Sequence, residues 1–179
     1  MGQTDSRAAD DDVILVDETD RPIGFAPKLA AHEGGGKLHR AFSVFIFNAA
    51  GEMLIQRRAD SKYHFGGLWT NACCSHPRRG DNVLDAARAR LRQEFGFDVP
   101  LEEKFSFVYR AEDPKSGLTE HEFDHVLVGR FEGEPVPNPD EISQWRWVPP
   151  QALLRDVERS PERYTPWFKL VLRRVLDQA

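Results

Sequence analysis

Only two of the 179 residues are cysteine, and they are adjacent, Cys73-Cys74. Neighbouring cysteines cannot build a disulfide framework, so the natural reading is a pair of reduced thiols in a cytoplasmic protein. No apolar run reaches the ~18 residues that a membrane-spanning helix needs. A basic excess is also missing. The chain has 24 Lys and Arg against 29 Asp and Glu, and its net charge of -5 argues against non-specific nucleic-acid binding. Residues 1–12 are polar and acidic, without the basic-then-apolar order of a secretory signal. They are expected to form a disordered tail ahead of one domain at 13–179. There are no repeats and no low-complexity segment. What remains is ordinary globular composition, 40% apolar and 30% charged, in a chain long enough for a full-sized core. The expectation is a monomer or weak dimer acting on a small molecule, with no nucleic-acid or membrane partner.

Hydrophobic patterning supplies the elements. Val13 to Val16 is a short apolar run closed by the turn residues Asp17-Glu18-Thr19-Asp20. Ala41 to Phe47 is rich in aromatic and branched residues and reads as a buried strand. Ala50-Gly51 turns the chain into Met53 to Arg57, its expected hairpin partner. Trp69 to Cys74 reads as one further strand. Leu84, Ala87, Leu91 and Phe95 then recur at helical spacing, with Asp81 or Asn82 to cap the start and Gly96 to stop the end. Strands at 105–110, 120–131 and 142–148 follow, then helices at 150–159 and from Pro166 onward. Such interspersed strands and helices, with short hairpin turns dominating the first half, predict an α+β fold with a mixed sheet flanked by helices.

Residues able to do chemistry fall at four places. On an extended backbone, residues two apart share a face, so Cys74 and His76 are predicted to look one way and Cys73 the other. His32 and His39 flank Gly34-Gly35-Gly36, and a mobile loop there brings both imidazoles onto one ion. Glu120 and Glu122 likewise face one way on a strand, with His121 and Phe123 on the other side. Three imidazoles and two carboxylates exceed a closed tetrahedral zinc site and suit an octahedral ion such as Mn²⁺, Fe²⁺ or Mg²⁺. His64, His121 and His125 are expected to be ordinary surface or core histidines. Lys28, Arg57, Arg58, Lys62 and Arg90 gather positive charge near the strands. Arg90 and Glu94 stand four apart on one helical face, where a simple ion pair explains the spacing as well as a phosphate and Mg²⁺ site does.

Taken in order, His32-x6-His39-Arg40-Ala41-Phe42-Ser43, Trp69-Thr70-Asn71-x-x-Cys74-x-His76-Pro77, Glu94-Phe95-Gly96 and Glu120-x-Glu122 form one pattern. It resembles type I isopentenyl diphosphate isomerase, a branch of the Nudix superfamily, from Lys28 to about Trp167. Each motif is weak alone, but the combination is specific. The resemblance implies a Nudix-like mixed sheet sandwiched between helices, with Cys74 rather than Cys73 as the catalytic thiol and Glu122 as its acid–base partner. It implies an octahedral divalent ion (Mn²⁺, Mg²⁺ or Zn²⁺) on His32, His39, His76, Glu120 and Glu122. It further implies Mg²⁺ held by Glu94 and the substrate's diphosphate. Lys28, Arg58, Lys62, Ser75 and Arg90 match diphosphate contacts, Trp167 the aromatic residue near a cationic intermediate, and Tyr109 a pocket tyrosine.

The implied activity is the interconversion of isopentenyl and dimethylallyl diphosphate in isoprenoid synthesis. Nudix hydrolases instead carry a helix of the type R-E-x-x-E-E-x-G. The matching run here, Ala89 to Gly96, keeps one of those glutamates, too few to cluster charge for water activation. Two alternatives stand beside the isomerase. One is a Nudix pyrophosphohydrolase of a nucleoside diphosphate derivative. The other is a binding module in which the histidines and glutamates hold a structural metal.

Overall fold

The computed structural model describes residues 11–179, so the expected N-terminal tail lies outside the described residues except for its last two. Among the described residues, nine strands form one mixed sheet: β1 (Asp12–Val16), β2 (Pro22–Pro27), β3 (His39–Phe47), β4 (Met53–Arg58), β5 (Trp69–Thr70), β6 (Cys73–Ser75), β7 (Glu102–Glu112), β8 (Thr119–Arg130) and β9 (Ile142–Val148). The α-helices among the described residues are α1 (Lys28–His32), α2 (Val83–Phe95), α3 (Pro150–Arg159) and α4 (Pro166–Gln178). The fold is α+β, as the patterning predicts.

The centre of the sheet is β3. It runs parallel to β8 from the His39–Glu122 pair to the Phe47–Arg130 pair, and antiparallel to β6 through Ser43–Cys74. The expected β3–β4 hairpin is reduced to a single pair, Phe47 with Met53. The arms part because β4 pairs with β9 and β5 instead.

The two-residue period of β3 distributes its side chains between two cores. Phe45 and Phe47 pack with Ile55, Val126, Trp167, Phe168 and Val171, under α4. Phe42, Val44 and Ile46 pack on the other face with Cys73, Ala87, Leu91 and Phe95, under α2. Helices therefore cover both faces, and all but one of the predicted α2 stripe residues are buried. The exception, Leu84, is 36% exposed at the first turn.

Helix α2 begins where Asn82 Oδ1 accepts from the backbone N–H groups of Leu84 and Asp85. Asn82, not Asp81, is thus the cap. The helix ends at Gly96, whose φ of 72° is a left-handed conformation that a glycine adopts without a Cβ penalty. Patterning did not foresee β2 or α1. Strand β2 carries two prolines and exposed Ile23 and Phe25, and α1 is only five residues long, so neither has a readable period.

Candidate active site

The end of β3 nearest β1, the tip of β6, helix α1 and β8 bring the metal-type residues together. Ligand atoms of His32, His39, His76 and Glu120 lie within 4.8 Å of one another. His32 closes α1 and His39 opens β3. In the glycine turn between them, Arg110 Nε donates to the Gly35 carbonyl at 3.0 Å, and a Cβ on Gly36 would stand 3.1 Å from the Thr119 carbonyl oxygen. At its φ of 78° only glycine fits without strain.

Backbone carbonyls orient both imidazoles. His32 Nδ1 is 2.6 Å from the Lys28 carbonyl, and His39 Nδ1 is 2.7 Å from that of Lys37. With Nδ1 donating, His39 Nε2 presents a lone pair inward, the arrangement that metal-ligating histidines use, while His32 Nε2 faces Glu120 Oε2. His39 Nε2 is buried with no hydrogen-bond partner, and burial pushes its pKa down to about 4. Burial, reinforced by His39, likewise holds His76 well below the usual imidazole range. Burial opposes protonation of His32 too, but its 3.0 Å contact with Glu120 prevails and raises its pKa. A neutral, orphaned nitrogen facing a buried carboxylate and two more imidazoles fits a divalent cation.

Glu122 stands slightly apart from that group. Its Oε1 accepts from the Tyr109 hydroxyl at 2.6 Å, and its Oε2 is 3.6 Å from His76 Nε2. Two buried carboxylates cannot both ionise cheaply. Burial and the neighbouring Glu120 charge push Glu122 well up. Glu120 overcomes its burial through hydrogen bonds with Glu122, His32 and His64, and is held low.

The cysteine segment folds differently from one continuous strand. Asn71 interrupts it, its Nδ2 donating to the Val44 carbonyl at 3.0 Å and the Cys73 carbonyl at 2.9 Å. The pleat still separates the thiols: Cys73 is buried in the α2-side core, and Cys74 reaches the cavity. Asn71 Nδ2 and Oδ1 lie 3.2 and 3.3 Å from Cys74 Sγ, and Ser43 Oγ lies 3.4 Å away. Ser43 gives its own proton to the buried Asp124 at 2.6 Å. Burial, then the Asp124 charge, raises the Cys74 pKa, so the thiol stays protonated at neutral pH.

A cavity of about 40 Å³ is lined by Lys28, Arg58, Lys62, Ser75, Arg90 and Trp167 together with Cys74, His76, Glu120 and Glu122. Burial lowers the Lys28 pKa, and so do the charges of Lys62 and Arg90, which marks a place where cations crowd and an anion is welcome. In this state Glu141 pairs with both Lys62 and Arg90. The Arg58 guanidinium carbon sits 5.7 Å from the centre of the Trp167 ring.

Glu94 does not line the cavity. It lies toward the Cys73 face, where it accepts from Arg90 Nε at 2.9 Å and Gln56 Nε2 at 3.2 Å. His121 and His125 stay outside the cavity, but the reading of His64 as an ordinary histidine needs correction. It is 6% exposed, lines the cavity, and its Nε2 meets Glu120 Oε1. Asn71, Ser43 and Asp124 were also missed as partners of the thiol. Only the sequence nearness of Asn71 to Cys74 offered a signal.

Known proteins place this geometry. The NUDIX domain family model matches residues 37–168. An isopentenyl-diphosphate Delta-isomerase of Aromatoleum aromaticum is 53% identical over 168 residues, covering 94% of this chain and 88% of its own. That of Halorhodospira halophila is 49% identical, covering 90% of this chain and 93% of its own. A Deinococcus radiodurans crystal structure superposes with a TM-score of 0.75 at 23% identity, covering 91% of this chain and 98% of its own. A MutT protein from Methanosarcina mazei gives 0.65 at 15% identity, over 78% and 93%. Those two structural likenesses concern the fold alone. The family model and the curated relatives together assign the chain to the isopentenyl-diphosphate Delta-isomerase family of NUDIX-domain proteins.

Proposed function

We propose that the protein interconverts isopentenyl and dimethylallyl diphosphate, with Cys74 and Glu122 as the acid–base pair. The observation that carries this reading is the Cys74 thiol and the Glu122 carboxylate on one cation-ringed cavity, in a chain about half identical to isomerases of that name. Lys28, Arg58, Lys62, Ser75 and Arg90 take the unreacting diphosphate, together with Mg²⁺ that Glu94 helps to hold. His32, His39, His76 and Glu120, with Glu122 beside them, would hold one divalent ion, Mn²⁺, Mg²⁺ or Zn²⁺. When bound, that ion supplies positive charge, which resets the acidity of the carboxylates beside it.

The reaction adds one proton to an alkene carbon and removes one from the allylic position, so no electrons are exchanged with a cofactor. An alkene is a feeble base and needs an acid held against it away from water. The raised pKa of Cys74 keeps the proton on sulfur until then. Of Cys74 and Glu122, one gives its proton to the alkene and the other takes the allylic proton, and reversing the direction of reaction exchanges the roles. The Tyr109 hydroxyl holds Glu122 in rotation. The Trp167 ring face stabilises the carbocation-like state, by about 2 kcal/mol when desolvated. Hydrolysis is the weaker alternative, because Glu94 is the one glutamate of the hydrolase motif retained in the run Ala89 to Gly96, too few to cluster charge for water activation.

Incubation of the metal-loaded protein with isopentenyl diphosphate in deuterated water tests the reading. Deuterium in dimethylallyl diphosphate is the expected result. Release of phosphate, with no labelled isomer, would select the hydrolase instead.

A further inference from the structure

The loop joining β4 to β5 turns on Phe65, a bulky residue at a φ of 50°, where such side chains are rare. Its N–H donates to Asp113 Oδ2 at 3.1 Å, and its ring meets Trp167 edge-on at 5.4 Å between centroids. With Phe65 anchored in the core, the preceding His64 projects into the cavity, 5.4 Å from the ring centre of His32. Its Nε2 meets Oε1 of Glu120, while Oε2 of the same carboxylate is 3.0 Å from His32 Nε2. A nitrogen against a carboxylate oxygen acts as the donor, so the proton of His64 sits on Nε2. Its Nδ1 is buried with no partner.

We propose that His64 is a positioning residue of the metal centre: by donating Nε2–H to Glu120 Oε1, it sets the carboxylate rotation that aims Oε2 at the three-histidine cluster. The inference rests on the metal reading of the site. Partners that orient a ligating side chain typically contribute ~10–100-fold in metal affinity. The backbone of His64 has a separate task, because its carbonyl accepts from Arg58 NH2 at 3.1 Å. Side-chain substitutions therefore leave the Arg58 contact in place.

The test titrates Mn²⁺ into chelator-treated full-length protein, following free Mn²⁺ by its paramagnetic resonance signal, with inorganic pyrophosphate affinity as a second readout. His64→Leu and His64→Asn, which cannot reach Oε1 as donors, are expected to weaken Mn²⁺ binding ~10–100-fold. His64→Gln, whose amide reaches the Nε2 position, is expected to stay close to wild type, and pyrophosphate affinity is expected to hold in all three. Leu and Asn variants that bind Mn²⁺ like wild type would overturn the proposal. So would a Gln variant as weak as Leu, which points to direct ligation, or a parallel loss of pyrophosphate affinity, which points to loop collapse. Should His64→Leu not fold, the Asn and Gln pair carries the comparison. A wild-type protein that binds no Mn²⁺ while the variants fold normally would instead remove the metal reading itself.

Discussion

Cys73 and Cys74 are chemically identical neighbours, and the pleat of β6 gives them opposite fates. One is buried against Leu91 and Phe95, and the other stands among Asn71, Ser43 and the cavity. Cys74→Ala is expected to cut isomerase turnover by at least ~10²–10⁴-fold, the usual contribution of a positioned acid, while Mn²⁺ stoichiometry stays unchanged. Cys73→Ala should cost some stability and spare turnover. Product assays beside urea melts separate the two, and a Cys74→Ala enzyme of near-normal rate would refute the thiol's role. This contrast was legible before any coordinates, because residues two apart on a strand share a face. His64 was not. Nothing in Tyr63-His64-Phe65 shows a period, and the aim of His64 depends on the left-handed Phe65 and on Asp113, 48 residues beyond Phe65.

At the scale of elements, long periodic segments were read well and short ones poorly. Helix α2 emerged from its buried Ala87, Leu91 and Phe95 with caps at both ends. The strand expected at Trp69 to Cys74 broke in two because the Asn71 side chain bonds the Val44 and Cys73 carbonyls, a local competition that hydrophobicity does not encode. Helix α2 carries Arg90 to the rim of the cavity, so its start matters beyond its own hydrogen bonds. Asn82→Ala leaves the N–H groups of Leu84 and Asp85 without their acceptor and is expected to cost about 1 kcal/mol in urea unfolding. Asn82→Asp should recover most of that loss. Equal stability of the alanine variant and wild type would mean that the cap is dispensable.

For the molecule as a whole, two apolar layers on either side of the sheet do the folding, and the metal-type cluster sits at the open end of β3 and β8. Phe45, Phe168 and Val175 are buried without touching it. Chelation is therefore expected to abolish isomerisation while the far-UV spectrum and a cooperative melt persist, with Tm lower by a few degrees as mass action requires. Restoring Mn²⁺ or Mg²⁺ should restore turnover. Complete unfolding on chelation would favour a structural metal module. Among the described residues, no helix is long and apolar enough to cross a membrane.

The sequence by itself determined the α+β class and the family, because periodicity and residue chemistry are local properties. Tertiary structure alone decided the parting of β3 from β4, the placing of Glu94 toward the Cys73 face, and the recruitment of His64, Ser43 and Asp124. Each of those depends on contacts between residues distant along the chain, where a few ångströms of packing decide which polar atoms meet.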